Sequence, residues 1–221
     1  MQIHRKFNYQ PLKRIDTENG RRYIVGEGRP LPSVTTVLSK TKDLTAIKQW
    51  QARIGIDEAN KIKTEASSLG NSMHKNLEKH ILGESMDGSF MAQTLAKVII
   101  KNGLSKVDEI WGTEVAVYSK DLYAGTTDLV GVHQGIPSIM DFKNSLKDKK
   151  KEWIEDYFMQ LAAYSLAHNE MYGTDIRRGV VMIATRDGKY QEFIIENDEY
   201  THYEVLWANK LCSYYDRFGY D

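Results

Sequence analysis

Asp128, Asp141 and Lys143 are the residues of this chain whose types and spacing best suit hydrolytic chemistry. They lie in 125–145, where polar and charged side chains interrupt two runs rich in β-formers. His133-Gln134-Gly135-Ile136 separates the runs, and a two-residue connection containing Gly reads as a tight hairpin. With Gln134 and Gly135 as the turn, His133 pairs with Ile136, Val130 with Ile139, and Asp128 with Asp141. Opposed residues on a ladder have Cβ atoms about 4.5–5.5 Å apart, where like charges repel. A shared proton would offset that repulsion, and so would a hard divalent cation such as Mg²⁺. Lys143, two residues past Asp141, falls on the same face by strand alternation. Asp-x-Lys alone also describes a solvated face or a surface ion pair. Here the same face carries Val130, Val132 and Ile139, and the other carries Leu129, Met140 and Phe142. Strands apolar on both faces are covered on both sides, which predicts at least partial burial of the charges.

The surrounding elements must position these groups. A strand is expected over 106–118, and its Glu114 is an accessory candidate for the Asp128 face or an ordinary cross-strand ion-pair partner. Ahead of it, 57–82 has helical periodicity in Ile62, Ala66, Leu69, Met73, Leu77 and Ile81, with Gly83 as the stop. That helix carries Gly70 one turn before His74. Gly in a helix costs about 1 kcal/mol relative to Ala, so close approach by another group is expected at Gly70. His74 alone reads as a structural histidine; the hairpin carboxylates make it a candidate ligand. After the hairpin, Lys147, Lys149, Lys150 and Lys151 read as a solvated loop or as a grip on phosphates. A helix over 151–171 follows, with Trp153, Tyr157, Gln160 and Tyr164 in one stripe, where a buried Gln160 needs a hydrogen-bond partner.

The remaining pattern is a peripheral hairpin over 12–25 around Glu18-Asn19-Gly20, then a helix capped by Ser33 at 33–38. Short helices at 44–53, with Trp50 inward, and 91–101 come before the core. Strands at 178–185 and 191–195 and a last helix over 198–218 complete it. At 221 residues and 41% hydrophobic content, one α/β domain with a helical elaboration accounts for the chain. Thirty basic residues balance thirty acidic ones, so net charge neither supports nor excludes a polyanionic partner. The one cysteine, Cys212, permits no internal disulfide, fits a reducing compartment and is expected in the core. The first seven residues lack a signal-peptide core and no apolar run has the length of a membrane span. A cytoplasmic protein without a membrane partner is expected.

His74 on its helix, Gly125-Thr126-Thr127-Asp128, Asp141-Phe142-Lys143, and Gln160 with Tyr164 resemble, in that order, the motifs of the PD-(D/E)xK nucleases, and within them the RecB-like branch. The 31–38 segment, the Gly70 to His74 helix and the compact length look most similar to the mitochondrial genome maintenance exonuclease group and its phage relatives. The resemblance spans roughly residues 21–170. It implies an α/β (α+β) restriction-endonuclease-like core, with a mixed central sheet flanked by helices and a helical N-terminal elaboration. A single nuclease domain over 1–221 follows, mainly helical to 105 with the catalytic core after it. By this resemblance Asp128, Asp141 and the main-chain carbonyl of Phe142 bind Mg²⁺ or Mn²⁺, with His74 as an additional ligand and no other cofactor. Lys143 positions or deprotonates the attacking water and helps neutralise the transition state, while Gln160 and Tyr164 contact DNA or brace the site. The second acid is Asp rather than Glu, which the branch accepts. Relatives' iron–sulfur cysteines and mitochondrial leader have no counterpart, which favours a bacterial or phage-infected setting.

The expected activity is metal-dependent exonucleolytic cleavage of DNA, with single strands or free ends preferred. Its rivals are a double-strand exonuclease, a structure-selective endonuclease, a non-catalytic nucleic-acid-binding module, and a metal-free structural domain.

Overall fold

The computed structural model describes residues 2–220; Met1 and Asp221 lie outside them. In chain order the first strands are Gln2–Ile3 (β1), Lys13–Thr17 (β2), Gly20–Ile24 (β3) and Leu31–Pro32 (β4). Helices Val34–Lys40 (α1), Thr45–Ile54 (α2), Ile56–Ile81 (α3) and Phe90–Asn102 (α4) follow. The core then runs Val107–Ser119 (β5), Tyr123–His133 (β6), Ile136–Ser145 (β7), Glu155–Tyr172 (α5), Arg178–Thr185 (β8), Tyr190–Glu196 (β9) and Asn197–Phe218 (α6). Among the described residues no helix is long and apolar enough to cross a membrane.

A six-stranded mixed sheet, ordered β1-β5-β6-β7-β8-β9, sits between helical layers. The β5-β6-β7 meander is antiparallel, β7 pairs parallel with β8, and β8 is antiparallel to β9. That mixture follows from connection length: hairpins join neighbours within the meander, whereas α5 makes the crossover to β8. Val130, Ile139, Val181 and Ile183 pack with α5 and α6 on one face. Leu129, Met140, Phe142 and Met182 pack with α3 and α4 on the other. Both faces are therefore covered, as the doubly apolar strands predicted. Helix α5 is buried from Phe158 through Ser165 because it lies between the sheet and α6.

Several expectations change at the edges. The helix expected from 151 starts at Glu155, after a 3₁₀ turn over Lys151–Trp153, so Trp153 leaves the stripe and is 61% exposed. Cys212 is exposed rather than in the core, because the buried face of α6 is formed by Tyr200, Tyr203, Trp207, Tyr214 and Tyr215. Ile62 is also exposed, since the first half of α3 extends beyond the sheet that covers Met73, Leu77 and Ile81. The early hairpin is joined by β4 into a three-stranded sheet. This sheet is docked on the core: Tyr23, Leu31 and Ala124 share a small apolar cluster, and Ser33 bridges to Ala124.

Candidate metal centre and active site

The β6–β7 register holds from His133–Ile136 to Leu129–Met140 and ends there. Upstream, β6 continues on β5 alone, while β7 continues on β8. The sheet thus forks one step short of the predicted Asp128–Asp141 pair, and the two carboxylates sit in the opening. In place of a ladder bond, the Phe142 N–H donates to Asp128 Oδ2 at 2.6 Å. The N–H and C=O of one strand residue share an edge, so the Phe142 carbonyl is directed toward the same fork.

Asp128 also stands where strand alternation breaks. Tyr123 packs in the α5 layer and Leu129 in the α3–α4 layer, although both are odd-numbered positions of β6. Counting from Val130 therefore does not place Asp128 on the Val130 face, as the sequence suggested. Pairs Thr113–Leu129 and Val115–Thr127 bracket Glu114 opposite Asp128, and Glu114 has φ +50°. A left-handed conformation in a glutamate is strained, and it accompanies the break in both strands. His74 reaches into the fork from α3, with Nδ1 3.2 Å from Asp128 Oδ1. Ligating atoms of His74, Glu114 and Asp128 lie within 4.8 Å of one another.

Asp141, 2% exposed, is engaged on the α5 side. Its Oδ1 accepts from Gln160 Nε2 at 3.0 Å and its Oδ2 is ion-paired with the Lys143 ammonium. Gln160 Nε2 also donates to the Tyr164 hydroxyl at 3.2 Å, which answers the need for a buried partner. Lys143 Nζ lies 5.0 Å from the centroid of the Tyr157 ring. Two glycines nearby permit close approaches. A Cβ on Gly70 would lie 2.8 Å from the Asn144 amide, the approach expected from a glycine inside α3. A Cβ on Gly125 would lie 2.5 Å from the Tyr164 ring. Gly125→Ala should accordingly cost roughly 1–3 kcal/mol by overpacking, read as a lower denaturation midpoint with an unchanged slope.

The electrostatics follow from this burial. Loss of water and the Asp128 charge raise Glu114 to about 7, even though its outer edge is exposed. Burial, only partly offset by Lys143 and reinforced by Asp128, raises Asp141 to about 6. Burial opposes the His74 cation, but the adjacent Asp128 carboxylate outweighs it and lifts the imidazolium to about 9. Burial likewise acts against ionised Asp128, yet His74 holds that carboxyl below its usual range. Lys143 loses hydration and gains more from Asp141, so its pKa is raised.

An imidazole nitrogen and two carboxylates, from His74, Glu114 and Asp128, lie close enough to share one divalent cation, while Asp141 is not part of that trio and is held by Lys143 and Gln160. A cation there would also relieve the crowding of carboxylates that raises Glu114 and Asp141. The donor set fits such an ion.

The groups surround a cavity of 540 Å³. His74, Glu114, Asp128, Asp141, Lys143, Gln160 and Tyr164 all line it. Lys147, Lys150 and Lys151 do not; their loop is stitched to β9 and α6, with the Lys149 N–H on Gln191 and Lys151 paired to Glu199. The expected lysine grip is thus not part of the cavity wall. Sequence reasoning missed Asn71, Lys75 and Glu78, which line it with His74. Their i, i+3, i+4, i+7 spacing on one helix face was the available signal. It also missed Arg14, Arg21 and Tyr23, contributed by the sheet taken as peripheral.

No family model matches the chain, and no curated protein matches it. Among solved structures, SSO0001 is 16% identical over 86% of this chain and 78% of its own, with a TM-score of 0.46. A protein from Eubacterium rectale described as a "Putative exonuclease" is 13% identical over 80% of this chain and 66% of its own, with a TM-score of 0.44. Likeness at this level says nothing of chemistry.

Proposed function

We propose that the chain is a divalent-metal-dependent nuclease of the PD-(D/E)xK type. In this reading it hydrolyses phosphodiester bonds of DNA, working from strand ends and preferring single strands. The observation that carries the reading is the fork in the sheet, which gathers Asp128, Asp141 and Lys143 with His74 at one cavity. A ladder would have held two like charges face to face for no structural benefit.

Asp128, Asp141 and the Phe142 carbonyl, joined by His74 and Glu114, would hold Mg²⁺ or Mn²⁺. Such an ion supplies positive charge to a non-bridging phosphate oxygen and acidifies a water it binds. Lys143 presents its ammonium to the same cavity and donates to phosphate oxygens as negative charge accumulates during attack. Gln160 keeps Asp141 oriented, and Tyr164 in turn fixes Gln160, a support of the kind that holds metal ligands in place. No covalent intermediate is required.

Preference for single strands draws on the shape of the cavity. It is a cleft of 540 Å³ open to solvent, within the range of small-ligand pockets, about 300–1,000 Å³, and suits a strand that enters a nucleotide or two at a time. The three-stranded sheet and α3 both contribute to its lining. The test is a panel of end-labelled linear single strand, blunt duplex and circular single strand, each with Mg²⁺, Mn²⁺ or EDTA. Loss of the linear strand alone is expected. Cutting of the circle would make the enzyme an endonuclease, and faster loss of the duplex would reverse the strand preference.

A further inference from the structure

The cavity is lined by charges of both signs. Glu78, Glu114, Asp128 and Asp141 line it together with His74, Lys75 and Lys143, and the small sheet adds Arg14 and Arg21. In the β2–β3 register Arg14 opposes Tyr23 and Asp16 opposes Arg21, so both arginines share the Tyr23 face. Tyr23 is 4% exposed and its hydroxyl lies 3.1 Å from Thr126 Oγ1 on β6, which fixes that face against the core strand leading to Asp128. The guanidiniums are therefore carried on a docked element rather than a loose hairpin.

Three other arginines are committed. Arg22 donates to the Pro30 carbonyl, Arg178 to the His133 carbonyl, and Arg177 pairs with Glu204. Among the described residues Arg14 has no carboxylate within ion-pair distance, and Arg21 has only Asp16 at 3.8 Å. That pair is weak, because the two side chains are 42% and 73% exposed. Two guanidiniums with unspent donors thus line the same cavity as the carboxylates.

We propose that Arg14 and Arg21 form a second phosphate subsite, gripping an internal phosphodiester of the strand whose neighbouring phosphate is cleaved at Asp128 and Asp141. The inference rests on the nuclease reading and names how the substrate is held. Lys143 and His74 are paired with the central carboxylates, so a grip on the strand falls to cations that are not spent on those acids. Guanidinium suits this because its planar fork meets phosphate oxygens in pairs. The grip falls to the small sheet, and the lysine loop after β7 is left out of it.

The test is steady-state cleavage of linear single strands with 5′-phosphate or 5′-hydroxyl ends, across a salt series. It compares wild type, Arg14→Ala/Arg21→Ala, Arg14→Lys/Arg21→Lys and Lys150→Ala, with melting temperatures to confirm folding. The alanine pair should raise KM by about tenfold or more, the loss of at least one charged hydrogen bond, with a smaller change in kcat. Its salt slope should fall by about 0.7 for each phosphate contact removed. The lysine pair should restore the slope but only part of KM, and Lys150→Ala should match wild type. Unchanged KM and slope in a folded alanine pair would overturn the subsite. So would an effect confined to 5′-phosphorylated strands, which would make the ligand a terminal phosphate. A wild type that cleaves no DNA would remove the nuclease reading, and this inference with it.

Discussion

Asp128→Asn is expected to abolish metal-dependent cleavage in a protein that remains folded. The residue is 8% exposed and its side chain accepts the Phe142 N–H, a role an asparagine oxygen can keep. What the change removes is one negative charge between His74 and the fork. A metal ion contributes several kcal/mol of transition-state stabilisation, and each factor of ten corresponds to about 1.4 kcal/mol. Loss of its ligand should therefore lower kcat by on the order of a thousandfold. Asp141→Asn should be equally inactive. Its stability should differ from the usual outcome of breaking an ion pair, because burial and Asp128 already make the ionised Asp141 unfavourable. The thermal midpoint of Asp141→Asn in EDTA at pH 8 should equal or exceed that of wild type. A midpoint well below it would show that the Lys143 pair, rather than metal binding, is what the carboxylate is for.

Divalent metal should produce the second large effect, on stability. A ligand at about a hundred times its dissociation constant adds about 2.7 kcal/mol. For a domain of this size that is a rise of roughly 5–11 °C, at about 2–4 °C per kcal/mol. The pH dependence without metal has a definite sign. Asp141, Glu114 and His74 all have folded pKa values above their ordinary ones, at about 6, 7 and 9. Each binds protons more tightly in the folded state, so its contribution is complete below the unfolded pKa and is lost as pH rises through the folded one. The lowered pKa of Asp128 acts with opposite sign, but only below its ordinary range. Between about pH 4 and 9 the cluster therefore weakens the fold as pH increases. Glu114→Gln isolates one member: in EDTA it should gain on wild type between pH 5 and pH 8, and saturating Mg²⁺ should reverse the order. Thermal melts across that range, with and without metal, check both statements.

Much of the central hairpin was legible because its turn fixes its register. Gln134 and Gly135 set the pairing, and every pair counted outward as far as Leu129–Met140 is present. Gly70 announced the approach of Asn144, and Gln160 announced a buried partner, because a missing Cβ and a buried amide each have a cost that needs a reason. The fork itself was not legible. It depends on a left-handed Glu114 and a shift in alternation at Asp128, and no residue-type signal marks either. The role of the early hairpin was hidden for another reason: docking through Tyr23, Leu31 and Ala124 joins residues about a hundred positions apart. The lysine run was left open between two readings because composition cannot tell a loop tied to Gln191 and Glu199 from one turned toward the cavity. Cys212 misled because α6 buries tyrosines and Trp207 in place of small side chains.

The most direct measurement is the fate of an end-labelled linear single-stranded DNA incubated with purified wild type or Asp128→Asn, each in Mn²⁺ and in EDTA. Degradation by wild type in Mn²⁺, and in none of the other three reactions, is the predicted result. An intact strand with wild type in metal, or equal degradation by Asp128→Asn, would contradict the assignment of this cavity as a metal-dependent nuclease site.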